Sequence, residues 1–119
     1  MAEHNLLGKN GEELAADYLM QQGYEIVARN FRFQKAEVDI IALKDELLAV
    51  IEVKTRSTTS FGDPKEFVKG RQIRQLIKAI DHFVEEQQLN VEVRFDIVTV
   101  VKNKSGTEIR HFENAFFHF

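Results

Sequence analysis

Glu37 to Arg56, EVDIIALKDELLAVIEVKTR, constrains this chain more than any other stretch. Two runs rich in Ile, Val and Leu, Glu37–Leu43 and Leu47–Lys54, flank the polar Lys44-Asp45-Glu46. That pattern predicts two strands joined by a tight turn. With Lys44 paired to Leu47, antiparallel register sets Asp39 directly opposite Glu52. Side chains alternate faces along a strand, so Glu52 and Lys54 project to the same side. Two carboxylates and one amine then converge on one face of one hairpin. A slip of a single residue would undo the convergence.

Like charges facing each other across a strand pair are unfavourable and need a reason. A divalent cation between them is one. Hard cations such as Mg²⁺ take carboxylate oxygens and keep room for water and substrate phosphates. A protonated lysine beside such a site is no ligand, but it can stabilise a charged transition state or position a water. The ordinary alternative is a surface salt bridge in which Lys54 neutralises one carboxylate. The apolar neighbours of Glu52 (Ala49, Val50, Ile51 and Val53) and the register of Asp39 favour the cation.

The remaining elements follow in order. Asn10 to Gln22 reads as a helix, with Leu14, Ala15, Tyr18 and Leu19 at helical spacing, Asn10 as N-cap and Gly23 just past the end. Glu12 near its start favours the helix dipole. Tyr24 to Phe33 reads as a strand, whose Arg29 and Arg32 suit either phosphate contacts or a solvated edge. Asn30 serves a turn in the simplest reading. After Lys54 comes a polar loop, Ser57–Asp63, running into Pro64. Arg56 keeps the face of Lys54 if the strand continues, as a phosphate contact or as a hydrophilic strand end.

Lys65 to Gln88 contains a second helix, with a possible break at Gly70, cored by Ile73, Leu76, Ile77, Ile80, Phe83 and Val84. Arg71, Arg74 and Lys78 line up elsewhere on it, and with Lys65 and Lys69 they make the most basic stretch of the chain. Such a stripe is either a solvated face or a track for a nucleic-acid backbone. Asn90 to Lys102 is a strand buried on both faces, with Arg94 and Asp96 as a structural ion pair. Asn103 to Gly106 is a turn and Thr107 to Phe112 a returning strand. The aromatic end, HFENAFFHF, folds back over the sheet or offers a patch to a second copy. His4, His82, His111 and His118 show no metal-ligand spacing, and none is assigned a catalytic role; His82 is expected to face solvent.

Helix, three strands, helix, two strands (αβββαββ) is an α/β domain: a mixed sheet flanked by helices, with the second helix as a parallel crossover. A chain of 119 residues makes one domain, residues 1–119. Without cysteine it has no disulfide scaffold, thiol nucleophile or cysteine-ligated zinc, which suits a reducing cytoplasm. No apolar run approaches the roughly 20 residues of a membrane span. The opening MAEHNLLGKN lacks a secretory core, so a cytoplasmic location without membrane contact is expected. The net charge of −3 is unlike a nucleic-acid binder. Counting Glu12, Asp39 and Glu52 as metal-bound leaves the remainder neutral.

Asp39, a spacer and then Glu52-Val53-Lys54 resembles the signature of the PD-(D/E)xK nuclease superfamily. The wider combination of GKNGEELAADYL, GYEIVARNFR, AEVDIIA, VIEVKTR and FGDP is similar to the YraN-type family of small bacterial proteins, regarded as endonuclease-like and related to archaeal-type Holliday-junction resolvases. The resemblance covers nearly the whole chain. It implies a restriction-endonuclease-like core and a Mg²⁺- or Mn²⁺-dependent site for nucleic acid, DNA foremost. Asp39 and Glu52 would hold the metal, with the carbonyl of Val53 as a further ligand, and Lys54 would act on water and phosphate. Glu12, of the family's Gly-Glu pair, would complete the site; Asn30 matches its Arg-Asn pair. Gln72 stands where related nucleases carry Lys or Gln, to orient the attacking water, or is plain helix surface. Arg56, Lys69, Arg71, Arg74 and Lys78 would meet the backbone, and a junction substrate would suit a homodimer. Ala36 departs from the family's usual Gly, at a turn. A module of a different class, which binds nucleic acid or protein without catalysis and keeps the fold, would use the same hairpin as an ion-pair network.

Overall fold

The computed structural model describes residues 10–58 and 68–116. In chain order it contains α1 (Gly11–Gln21), β1 (Glu25–Phe33), β2 (Ala36–Lys44), β3 (Leu47–Arg56), α2 (Gly70–Glu86), β4 (Glu92–Asn103) and β5 (Gly106–Phe112). The strands form one sheet in the order β1-β2-β3-β4-β5. β1, β2 and β3 are an antiparallel meander, β3 and β4 run parallel, and β4 and β5 are antiparallel. The parallel step is possible because α2 carries the chain back across the sheet. This is the αβββαββ mixed sheet expected from the sequence.

Both sheet faces are buried. On one, Val38, Ile41, Leu48, Val50 and Ile97 pack against Leu76, Ala79, Ile80 and Phe83 of α2. On the other, Ile40, Ala42, Ala49, Ile51, Val98 and Val100 pack against Leu14, Ala15 and Leu19 of α1. The run of buried residues in β4 from Ile97 to Val101 follows from this: Ile97 enters one core and Val98 the other. Among the described residues no helix is long and apolar enough to cross a membrane.

Local chemistry sets the ends of the elements. Asn10 caps α1, its side chain accepting the Glu13 N–H at 2.8 Å while Glu13 Oε1 accepts the Asn10 N–H at 3.1 Å. This capping box ties Glu13 to the helix start and leaves Glu12 for another task. The helix ends into Gly23, whose φ of +96° is open to glycine at little cost. α2 differs from the sequence reading: Gly70 does not interrupt it but begins it, with Lys69 extended as the N-cap. The loop segment Phe61 to Pro64, together with Lys65, lies outside the described residues, as do His4, Phe117, His118 and Phe119.

Gly11, the first residue of α1, rests on β3. A methyl group there would collide with Thr55 Oγ1 and stand 3.0 Å from Thr55 Cβ. Only a residue without a side chain lets the helix start this close to the strand.

Arg94 and Asp96 form the expected ion pair inside a larger network. Asp96 is fully buried and accepts from Arg94 Nε and Nη2 at 2.7–3.1 Å, from His111 Nε2 at 2.7 Å and from the Asn114 N–H at 2.9 Å. Arg94 Nη2 also donates to the Tyr24 hydroxyl at 2.7 Å. Burial pushes the Asp96 carboxyl up, but the bonds from His111, Arg94 and Asn114 outweigh it and hold the group below the usual carboxylate range. The segment after β5, as far as Phe116, folds back here, with Ala115 N–H donating to Phe95 O at 2.8 Å and Phe116 packed on Phe95.

Two outcomes follow. Gly11→Ala should lower unfolding free energy by about 1–3 kcal/mol in denaturant titration, against the usual gain from alanine in a helix. Thr55→Ala in that background should restore part of the loss. Asp96→Ala should cost roughly 3–5 kcal/mol, because it strands the buried charge of Arg94. Since folding lowers the Asp96 pKa, its contribution is present above the unfolded value near 4 and is lost on acidification below it. Unfolding curves between pH 6 and 3 should fall more steeply for the wild type than for the variant.

Candidate active site where two strands part

β2 and β3 pair from Lys44↔Leu47 to Ile40↔Ile51, and the pairing stops there. The next two positions are Asp39 and Glu52, in the register read from the sequence. Asp39 is also skipped on its other side, between Arg29↔Ile40 and Phe31↔Val38. Opposite the gap is Asn30, in the left-handed region at φ +54°. The residues of the ladder thus step apart around Asp39.

Carboxylates take over the lost backbone bonds. Asp39 Oδ2 accepts the Val53 N–H at 2.8 Å, and Glu52 Oε2 accepts the Asp39 N–H at 3.4 Å. Each acid holds the other's strand, so the two are drawn together by the backbone groups they satisfy. Glu52 is only 4% exposed. Its second oxygen, Oε1, accepts from Gln72 Nε2 of α2 at 3.4 Å, so the structure brings Gln72 to the site.

The electrostatics are adverse for a bare pair of anions. Burial, and then the negative charge of Asp39, push Glu52 up to about 8, against its bond from the Asp39 N–H and the charge of Lys54. Burial likewise raises Asp39, with the Val53 N–H opposing and the Glu12 charge adding. Lys54, half-buried on the strand of Glu52, lowers both. Across the parallel ladder its partner is Thr99, whose buried hydroxyl has no hydrogen-bond partner. A buried hydroxyl in that condition is costly and uncommon.

Glu12 is near enough for its charge to raise Asp39, but its Oε1 is held elsewhere. It accepts from Arg29 Nε and Nη2 at 3.2 and 3.0 Å and from Asn30 Nδ2 at 3.0 Å. Arg29 and Asn30, read from sequence as a strand edge and a turn, are therefore the clamp on Glu12. Their spacing held no signal of this, since the contact depends on the left-handed turn at Asn30. Among the described residues no three His, Cys, Asp or Glu side chains are grouped as for a metal ion. The acids come together as a pair, Asp39 with Glu52, and Glu12 acts on Asp39 through its charge.

Arg56, Lys69, Arg71, Arg74 and Lys78 are all exposed. Arg71, Arg74 and Lys78 share one stripe of α2, beginning beside Gln72. Arg56 Nη1 donates to Thr55 O at 2.8 Å at the end of β3. His82 is exposed, pairs with Glu86 at 3.5 Å and stacks on Phe33.

Comparison with known proteins gives the following. A solved structure, that of Pyrococcus furiosus SfsA in complex with Ca²⁺, is similar over 90% of this chain with a TM-score of 0.38 and 16% identity; this chain spans 62% of that one. A UPF0102 protein of Christiangramia forsetii is 60% identical over all of both chains. UPF0102 protein FP2501 of Flavobacterium psychrophilum is 50% identical, again over the full length of both. A UPF0102 protein of Phocaeicola vulgatus is 46% identical over 98% of this chain and 97% of its own. The model of the Uncharacterised protein family UPF0102 matches residues 11–100, from the glycine under α1 through most of β4, and the chain belongs to that family.

Proposed function

We propose that this chain hydrolyses phosphodiester bonds in nucleic acid, as a structure-selective DNA endonuclease working with Mg²⁺ or Mn²⁺. The observation that carries the reading is the close pair Asp39 and Glu52, both raised and both buried or half-buried, at the point where β2 leaves β3. The donors fit a hard divalent cation: two carboxylates, with the Val53 carbonyl as a further oxygen and Glu12 reachable through water. Such a cation would offset the charge that burial and proximity make unfavourable. Bound there, it would acidify a water and shield the phosphate oxygens.

The chain's own groups supply the rest. Asp39 is fixed by the Val53 N–H and Glu52 by the Asp39 N–H and by Gln72, so both carboxylates are oriented before substrate arrives. Lys54 offers positive charge to the phosphoryl oxygens as the negative charge on them grows. Gln72 has its amide at Glu52 and is suited to hold the attacking water. Arg56, Lys69, Arg71, Arg74 and Lys78 take backbone phosphates on either side, with affinity that falls as salt rises.

Purified protein with Mg²⁺ or Mn²⁺ should cut branched or flapped DNA, and Lys54→Ala or Asp39→Asn should lower turnover by about 10²-fold or more. Wild type that stays inert on linear, branched and single-stranded DNA and on RNA with either metal overturns the reading. Protein that instead shifts DNA in a gel without metal, and never cuts it, is a binding module.

Metal-free protein carries a second test. Folding raises the Glu52 pKa, so the folded state holds an extra proton between about 4.5 and about 8, and stability should fall as pH climbs through that window. Glu52→Gln should remove most of that decline, an effect on the order of a few kcal/mol. Mn²⁺ titrated by calorimetry should bind the wild type and not the variant.

A further inference from the structure

A groove separate from the carboxylate pair opens further along α2. It lies between the β1–β2 turn and α2, encloses about 280 Å³ and is lined by Phe33, Gln34, Lys35, Gln75 and Lys78. Gln75 and Lys78 stand three and six residues along α2 from Gln72, about 5 and 9 Å along the helix axis. The groove is therefore the next cavity beside the carboxylate pair on the same helix.

Its lining has a particular chemistry. Phe33 is half-buried, and the ring of His82 lies 4.3 Å from it and nearly parallel, at 23°. Two carboxamides, Gln34 and Gln75, offer both donors and acceptors. Two ammonium groups, Lys35 and Lys78, stand on opposite walls and are both exposed. Of the acids nearby, Glu37 pairs with Arg32 at 3.4 Å and Glu86 lies 3.5 Å from His82 Nε2. An aromatic surface, amides at its edge and cations on each side match a flat heteroaromatic ring with hydrogen-bonding edges and flanking phosphates. A groove of this size is far too narrow for a duplex.

We propose that this groove takes one unpaired nucleobase of the nucleic-acid substrate, stacked at Phe33, with Lys35 and Lys78 on the phosphates to either side. The inference rests on the phosphodiesterase reading and narrows it: strands with unpaired bases near the cut, rather than continuous duplex, are the preferred class. The basic stripe of Arg71 and Arg74 continues the phosphate path from the groove towards the carboxylates.

Fluorescence anisotropy tests it on wild-type protein in EDTA, where no cutting occurs. The probes are a labelled 12-nucleotide thymidine strand, the same strand with consecutive abasic sites at its centre, and a blunt duplex of that length. The intact strand should bind about 5- to 150-fold more tightly than the abasic one, the range expected for stacking one base. Phe33→Leu keeps an apolar side chain in the core and should bring that ratio towards one while leaving the abasic strand's Kd unchanged. His82→Ala, at an exposed position, should reduce the ratio too and guards against misfolding of the first variant. Equal binding of intact and abasic strands, a ratio that survives both substitutions, or no binding of any probe overturns the groove. Cleavage by wild type with Mn²⁺ is scored separately. Cutting without base preference sinks the groove alone, and base preference without cutting sinks the phosphodiesterase reading and leaves the groove as a binding site.

Discussion

Asp39 and Glu52 each bind the main chain of the other's strand, and the architecture of the site depends on that exchange. Two carboxylates in a half-buried gap repel each other, and water would separate them if they were free. They are not free, because Val53 N–H and Asp39 N–H have lost their ladder partners where β2 turns away from β3. Satisfying those donors brings the acids together. The gap in the sheet and the accumulation of negative charge are thus one structural event, and removing either would remove the other.

The surroundings keep the gap in place. Asn30, in its left-handed conformation, lets β1 pass the skipped position and donates to Glu12. Glu12 is in turn carried by a helix that can sit against β3 only because its first residue is glycine. From the other face, α2 delivers Gln72 to Glu52 and then leads away across the sheet with its cations outward. Three elements distant in sequence therefore converge on a single break in hydrogen bonding. One ladder step from Glu52, where Ile51 pairs with Asp96, a second buried carboxylate is held differently, its charge matched by Arg94, His111 and a backbone N–H. Neighbouring strands thus carry one buried acid that is neutralised and a pair of acids left in tension.

Much of this was legible before any coordinates. The hairpin, its register and the same-face placement of Glu52 and Lys54 follow from period-two alternation around a short polar turn. The order of elements and the parallel crossover followed from the apolar spacing of α2 and the doubly buried run in β4. What could not be read depended on backbone states that composition does not encode. Asn30, in the left-handed region within β1, and Arg29 both bind Glu12, a contact with α1 that the spacing in GYEIVARNFR does not mark. The helix expected within Lys65–Gln88 runs from Gly70 to Glu86, and the glycine that reads as a possible break is its first residue, where glycine costs little. Beyond Arg94, the partners of Asp96 are His111 of β5 and the Asn114 N–H after it, a long-range convergence invisible to local spacing. The anchoring of Glu12 by Arg29 and Asn30 joins α1 to β1 across seventeen and eighteen residues, a contact that local spacing does not encode.

The parallel register of β3 with β4 has a temporal consequence. Glu52 faces Ile97, 45 residues downstream, so the strand bearing the acids gains its second neighbour only after α2 and most of β4 have been made. During synthesis the β2–β3 hairpin can close early, while its carboxylates are still hydrated and their repulsion is screened by water. Desolvation arrives last, when β4 docks and α2 covers Glu52. A chain built in this order meets its least favourable contact only once β1, β2 and β3 are there to hold it.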